Sequence, residues 1–392
     1  MDLVINMLDE PRVVVPGNQM EVLLRSSHLP RVSHHSRNEF SPVEVGAERM
    51  ELEMSKVAFN SFPKQATWSH AKMACPMDTP ARELYYDSES PRTLGFVSNT
   101  TAAADVCGNP AYEALHGFFR GPDSFVLVQN LVPILSQSKP SSFSDILFPN
   151  YWYFAKTRSG EDRMQVRKWE DRKGRLYWRG STTGGHSTVQ SWKHHHRQRF
   201  VDLVQSKDKA EVYEKNDDTT KWRLQNSTAD DFHDLFDVRF TAVVQCEVAD
   251  CAAMKKHYHI AEREPLTNGN KFLLDMDGNA FSGRYYALLK SGSVIIKQTI
   301  FQEWHDERLV PWVHYVPLSM EGTEIFEIMR YFTQEAEEGD EAARRIVDQS
   351  REWMGRGLRT EDMQVYLFRL LLELARVMDE DRAVIGYTAP LE

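Results

Sequence analysis

Lys271-Phe272-Leu273-Leu274-Asp275-Met276-Asp277-Gly278-Asn279-Ala280-Phe281-Ser282-Gly283-Arg284 is the stretch from which the fold can be read. Lys271 to Met276 is an apolar run of strand length, and Asp277-Gly278-Asn279 stops it with turn formers. Ser282 is placed to cap a short helix through Lys290, and Gly292 to end it. Ser293 to Lys297 is then a β-branched strand. A strand–loop–helix–strand unit of such minimal length predicts a right-handed parallel crossover, and hence an α/β fold.

In a parallel sheet a loop that leaves a strand and opens a helix lies at the carboxyl edge, where ligands bind. Gly278 and Gly283 let a backbone come close to a ligand, and free N–H groups at a helix start attract phosphate. Arg284 adds a positive fork suited to a diphosphate. An ordinary turn with a surface arginine fits the same spacing. A second loop of this kind, Arg179-Gly180-Ser181-Thr182-Thr183-Gly184-Gly185, follows the strand Gly174 to Trp178. It is not a P-loop, because no Gly-Lys-Ser/Thr ending is present. Two such loops after strands shift the balance toward anion binding.

Outward from this core the pattern is less regular. Residues 3–7 read as a strand, and about 16 to 72 as a polar, irregular insertion. Short helices are expected between Cys75 and Gly121. Ser124 to Val128, Val132 to Ser136 and Asp145 to Pro149 read as strands or apolar runs before the aromatic group Tyr151-Trp152-Tyr153-Phe154. The polar run Lys156 to Lys173 is a candidate interdomain linker. The last 70 or so residues read as helical, with Thr360 at a helix start and Tyr366, Leu370, Leu374 and Val377 at helical spacing.

The 392 residues favour two domains, and 41% hydrophobic with 27% charged residues is an ordinary globular balance. A net charge of −10 argues against a general nucleic-acid or anionic-membrane binder. No apolar run of about 18 residues suggests a membrane span. Met1-Asp2-Leu3-Val4-Ile5-Asn6 lacks the order of a signal peptide. Cys75, Cys107, Cys246 and Cys251 form no CxxC pair, so two disulfides and four buried thiols both stay open. Asn99-Thr100-Thr101 and Asn226-Ser227-Thr228 match the glycosylation triplet.

Asp275-Met276-Asp277 has the spacing of a DxD metal site, but a turn-forming Asp277 after a sheet-bound Asp275 is the favoured reading. Lys193-His194-His195-His196-Arg197 is expected to be a solvated basic patch, because adjacent side chains on a helix diverge by about 100° and cannot converge on one ion. His34-His35, His257, His259, His305 and His314 are expected to be structural or exposed. Asp9, just past the first strand, is placed to meet a ligand, although such an Asp is also a common turn former.

Taken in order, Phe272 to Gly278, Ser282-Gly283-Arg284, Gly292-Ser293, Phe301-Gln302-Glu303-Trp304 and Pro311-Trp312-Val313-His314-Tyr315-Val316-Pro317 form a signature that resembles glycosyltransferase family 90. That family includes fungal capsule-associated proteins, with β-xylosyltransferases among them, and Rumi-type protein O-glucosyltransferases. Tyr177-Trp178-Arg179-Gly180-Ser181 is similar to its aromatic-Arg-Gly-Ser motif, Val132 to Lys139 and Asp145 to Pro149 to its central region, and Met1 to Arg12 to the segment with the catalytic Asp.

The resemblance implies a GT-B fold, with two Rossmann-like halves facing across a cleft. The first would be residues 1–155, on the acceptor side and with an incomplete beginning. The second would be 156–345, holding a UDP-sugar. Helices in 346–392 would pack back on the first half. By the same resemblance Asp9 is the base. Arg179, Ser181 and Arg284 meet the diphosphate, with Gly180 between them. Asp277, Gly278 and Ser282 approach the nucleotide, and Glu303 is a candidate for the ribose. The implied chemistry is inverting and metal-independent, with no cofactor. It moves xylose or glucose from UDP-xylose or UDP-glucose to a glycan or glycoprotein. The implied setting is the Golgi or ER lumen, reached through a signal or anchor that this chain does not carry. The alternatives are a non-catalytic UDP- or glycan-binding relative, and a metal-dependent GT-A enzyme using Asp275 and Asp277.

Overall fold

The computed structural model describes residues 3–27, 58–83, 94–158, 167–215, 222–262 and 269–379. In chain order its strands are β1 (Val4–Ile5), β2 (Asn60–Ser61), β3 (Val126–Leu127), β4 (Ile134–Ser136), β5 (Ile146–Leu147) and β6 (Lys173–Ser181). They continue with β7 (Lys209–Lys215), β8 (Trp222–Thr228), β9 (Phe236–Ala242), β10 (Asn270–Met276), β11 (Val294–Gln298) and β12 (Val316–Pro317). The protein is α/β, with two parallel sheets. One has three strands in the order β1-β4-β5, and the other five in the order β12-β11-β10-β6-β9. β2 pairs with β3 and β7 with β8, both antiparallel.

The order of the larger sheet fixes where a ligand can sit. Its first strand, β6, has β9 on one side and β10 on the other. The chain therefore leaves this centre in opposite directions, which makes the carboxyl ends of β6 and β10 the switch point at which open α/β sheets form a ligand crevice. The expected crossover is present: β10 and β11 pair in parallel, with Leu273 opposite Ile295 and Asp275 opposite Lys297.

Alternation along the strands builds two cores. Phe272, Leu274 and Met276 join Val294, Ile296, Trp178 and Phe240 on one face. Leu273, Ile295 and Tyr177 face the other way, onto Phe118, Phe119, Phe125 and Tyr153 from the amino-terminal part and Met354, Leu358 and Met363 from the last helices. Burying such a large apolar side chain contributes roughly 1.5–3 kcal/mol. The second core therefore ties the amino-terminal part, the five-stranded sheet and the carboxyl-terminal helices together.

Several elements differ from the sequence reading. The amino-terminal strands are only two or three residues long. Pro133, Pro140 and Pro149 interrupt the ladder there, and the Asp145 carboxylate takes the N–H groups of Arg12 and Val13, both at 2.8 Å. A helix, Gly17–Ser27, opens the stretch expected to be irregular; His34-His35 fall outside the described residues. The helix after β10 spans Tyr285–Lys290 and is capped at Arg284, not at Ser282. Ser282 gives its hydroxyl to the Asp275 carboxylate instead, which withdraws it from capping.

The last helices are Ile325–Gln334, Ala336–Gly357 and Thr360–Met378. In the last of these, Asp362 accepts the Arg359 N–H at 2.8 Å and so closes the first turn. Its Tyr366 reaches the Leu147 carbonyl at 3.3 Å, beside β4. All four cysteines are oxidised, as Cys75–Cys107 and Cys246–Cys251. Among the described residues no helix is long and apolar enough to cross a membrane.

Candidate functional site

The crevice between β6 and β10 is bounded by the two glycine-bearing loops. Arg284, from the loop after β10, donates to the Arg179 carbonyl at 2.6 Å and lies 5.9 Å from the Trp178 ring centroid. Arg197 packs near the same indole at 5.5 Å. Its guanidinium reaches both loops: Nε donates to the Asp277 carbonyl at 2.6 Å, and Nη1 to the Ser181 carbonyl at 3.0 Å and the Thr183 hydroxyl at 2.7 Å. Burial and the neighbouring Arg284 charge bring Arg197 down to about 9. The Asp277 and Asp275 charges favour its charged form. Two guanidiniums thus meet where the sheet topology opens a ligand crevice, an arrangement suited to an anion.

This corrects the expected solvated patch. Lys193 and His194 are exposed, but His195, His196 and Arg197 are buried. The helix His196–Gln205 starts against the glycine loop, so its first turn points inward. The three histidines do not converge. His196 Nε2 lies 2.8 Å from the Asp277 carbonyl, whereas the His195 ring packs against Gly185.

Asp9 meets the same loop from the amino-terminal part. The side chain of Asn279 hydrogen-bonds its carboxylate. Asn279 Oδ1 in turn accepts the Gly184 N–H at 3.3 Å. One side chain therefore bridges the segment after β1, the loop after β10 and the loop after β6. Burial raises the Asp9 carboxyl above its ordinary value, and the Asn279 hydrogen bond opposes the rise. The turn that presents Asp9 is held by Asn6, whose amide donates to the Glu10 carbonyl at 2.7 Å, and by Gln137, which reaches the Leu8 carbonyl at 3.3 Å. A half-buried carboxylate with a raised pKa, beside a loop that two guanidiniums also contact, has the chemistry to accept a proton from a hydroxyl, and the guanidiniums that to receive an anion.

The remaining sequence candidates fall into two groups. Gly180, Ser181, Gly278 and Arg284 border the crevice. A Cβ on Gly180 would collide with the Trp178 indole, and Gly278 N–H closes the turn onto the Ala280 carbonyl at 2.7 Å. The others are committed inward. Arg179 pairs with Asp237 at 2.8 Å, a carboxylate also shared by Arg175 at 2.7 Å. Asp277 is 1% exposed, and its carboxylate accepts from Ile300 N–H at 3.0 Å and lies 3.3 Å from His116 Nε2. Asp275 takes Ser282 and, at 3.3 Å, Lys297. The two carboxylates of the DxD triplet thus have separate partners. Glu303 is buried on Tyr153, at 2.8 Å, and near Lys297, at 3.6 Å. Burial drives its carboxyl up to about 8 against the opposing Lys297 charge.

Sequence reasoning passed over Arg197, Asn279 and His116. Arg197 was hidden in a run that looked solvent-facing. Asn279 lies inside the loop already singled out, but nothing local marks its amide as a partner of Asp9. His116 carried no local signal, since its partner is 161 positions away.

The chain is similar to known glycosyltransferases. The model of glycosyl transferase family 90 matches residues 121–384. Arg179 to Glu303 lie inside that span, while Asp9 and His116 lie outside it. An O-glucosyltransferase rumi homolog of Aedes aegypti is 23% identical over 270 residues, covering 64% of this chain and 57% of that protein. A rumi homolog of Anopheles gambiae is 22% identical over 63% of this chain and 56% of its own length. Protein O-glucosyltransferase 1 of Homo sapiens is 22% identical over 63% of this chain and 58% of its own length. The chain thus spans a little over half the length of these relatives.

Proposed function

The chain belongs to glycosyltransferase family 90, and from that premise we propose that it moves glucose or xylose from a UDP-sugar to a hydroxyl of a protein or glycan. The supporting observation is the Asn279 bridge, which brings Asp9 to the loops that Arg197 and Arg284 contact. On this reading the molecule is of GT-B type, and the five-stranded sheet forms the donor half. The UDP diphosphate lies between the loops after β6 and β10, against Arg284, Arg197 and the loop amides. Arg179 takes part by exchanging Asp237 for phosphate.

Asp9 removes the proton from the acceptor hydroxyl. The oxygen attacks the anomeric carbon from the face opposite UDP, so the configuration inverts. The guanidiniums receive the charge that develops on the departing diphosphate, in the role a metal ion plays in other transferases. Glucose is favoured over xylose by the names of the relatives. The name of the human relative favours a protein acceptor, and both disulfides favour an oxidising, secretory compartment.

The test is UDP release from a panel of UDP-sugars with an acceptor present, for the wild type and Asp9→Asn. Release by the wild type alone supports the reading. Equal release by both removes Asp9 as the base. Binding of UDP with no transfer to any acceptor favours a non-catalytic relative. Full activity in EDTA eliminates the metal-dependent alternative.

A further inference from the structure

We propose that His116, contributed by the amino-terminal part, is a positioning residue that holds the donor loop in its binding geometry through Asp277. The inference rests on the reading of that loop as the UDP site. His116 lies between the short helices Tyr112–Leu115 and Gly117–Arg120 and is fully buried. Its Nδ1 accepts the Phe118 N–H at 3.2 Å. The neutral ring must then carry its proton on Nε2, which points at Asp277 Oδ2 from 3.3 Å. Burial, with the charges of His195, Arg197 and Arg199, keeps the ring neutral.

Asp277 is the residue at which β10 becomes the loop. Its carboxylate is held by His116 and by the Ile300 N–H beyond β11, and its carbonyl by His196 and Arg197. The two histidine rings stack at 3.8 Å with 7° between their planes, so the groups gripping the two ends of Asp277 also brace each other. Phe119 and Phe301 close the edges of His116.

The backbone beside His116 is fitted equally closely. A Cβ on Gly117 would overlap the Gly184 carbonyl, and one on Gly184 would come within 2.5 Å of His196 Cε1. His186 N–H donates to the Gly121 carbonyl at 2.7 Å. The segment His116 to Gly121 is therefore fitted to both loops of the crevice. Without the His116 N–H, one Asp277 oxygen keeps only the groups from the β11 side, and the start of the loop loses its hold on the amino-terminal part.

The experiment is UDP calorimetry on the full chain, well below the melting temperature, for the wild type, His116→Phe and His116→Gln. Phe keeps the ring and the stacking but has no donor, whereas Gln can place an N–H near the Nε2 position. We expect UDP to bind about tenfold more weakly to His116→Phe, the scale of one lost hydrogen bond to a charged group. Recovery to within about threefold is expected in His116→Gln. A purely structural role would lower the melting temperature of both variants and leave the affinity of the folded protein unchanged. That result overturns the proposal, as does an equal loss of affinity in Phe and Gln. If His116→Phe does not fold, His116→Leu takes its place under the same criteria. If the folded wild type itself binds no UDP, the donor-site reading falls first and takes this proposal with it.

Discussion

Asn279 hydrogen-bonds the Asp9 carboxylate, so a residue of the loop after β10 tunes the ionisation of a residue after β1. Burial makes the Asp9 proton harder to lose, and Asn279 works against that. A base must be ionised to act, so the acid limb of the pH–rate profile follows this carboxyl. Replacing Asn279 with Ala removes the opposing hydrogen bond. The limb should move to higher pH, and activity should fall most at the acid end. A profile of kcat/KM against pH that does not move would show that Asp9 is not the titrating base.

Arg284 and Arg197 should contribute differently to donor binding. Charged hydrogen bonds are worth roughly 1.5–3 kcal/mol each, or about 10–100-fold in affinity. Arg284→Ala should abolish the rise in melting temperature that UDP produces, with some loss in the unliganded protein from its bond to the Arg179 carbonyl. Arg197→Ala should lower the melting temperature of the unliganded protein further, since it strips the bonds to Asp277, Ser181 and Thr183. Thermal scans with and without UDP separate the two.

Gly117→Ala puts a methyl group where the Gly184 carbonyl lies. Backbone on both sides has to move, at a cost of about 1–3 kcal/mol for overpacking. Gly184, at φ 106°, cannot relax into an ordinary conformation without losing its own turn. A chemical-denaturation midpoint no different from wild type would contradict this close approach.

Glu303 gives a pH signature. Its folded carboxyl sits near 8 and its ordinary value is 4.5, so the folded protein holds this proton more tightly than the unfolded chain. The resulting stability is fully present below 4.5 and is lost as pH rises through about 8. Glu303→Gln cannot ionise and should lose less stability than the wild type across that window. Parallel stability curves for the two would remove the burial effect ascribed to Glu303.

The disulfides should differ in weight. Cys75–Cys107 spans 32 positions and Cys246–Cys251 only 5. Loop-closure entropy then gives about 4 kcal/mol for the first and about 2 kcal/mol for the second. Cys75→Ser with Cys107→Ser should be the more damaging pair in urea titrations.

The five-stranded sheet was the legible part of the sequence. The apolar strand before Asp277 and the β-branched strand after Gly292 are local patterns, and both appear where the pattern put them. The amino-terminal part was harder because its strands are very short and are held by side chains such as Asp145 as much as by the ladder. Spacing alone left Arg284 and the glycines open between a ligand loop and an ordinary turn, and the structure sets them after the carboxyl ends of β6 and β10. The inward commitments of Asp277 and Glu303 could not be read from spacing, because His116 and Tyr153 approach them from far along the chain. The histidine run misled for a related reason. Its composition is that of a surface, while the sheet order carries it into the interior.

An interior cation whose hydrogen bonds go to carbonyls and a hydroxyl has a thermodynamic side. Arg197 pays its desolvation cost whether or not a ligand is present, and an arriving anion recovers part of that cost. Folding and anion loading are then linked equilibria. At a hundredfold excess over the dissociation constant, a ligand specific for the folded state adds about 2.7 kcal/mol. On the donor-site reading, the supply of anionic ligand then adds to the stability of the folded chain.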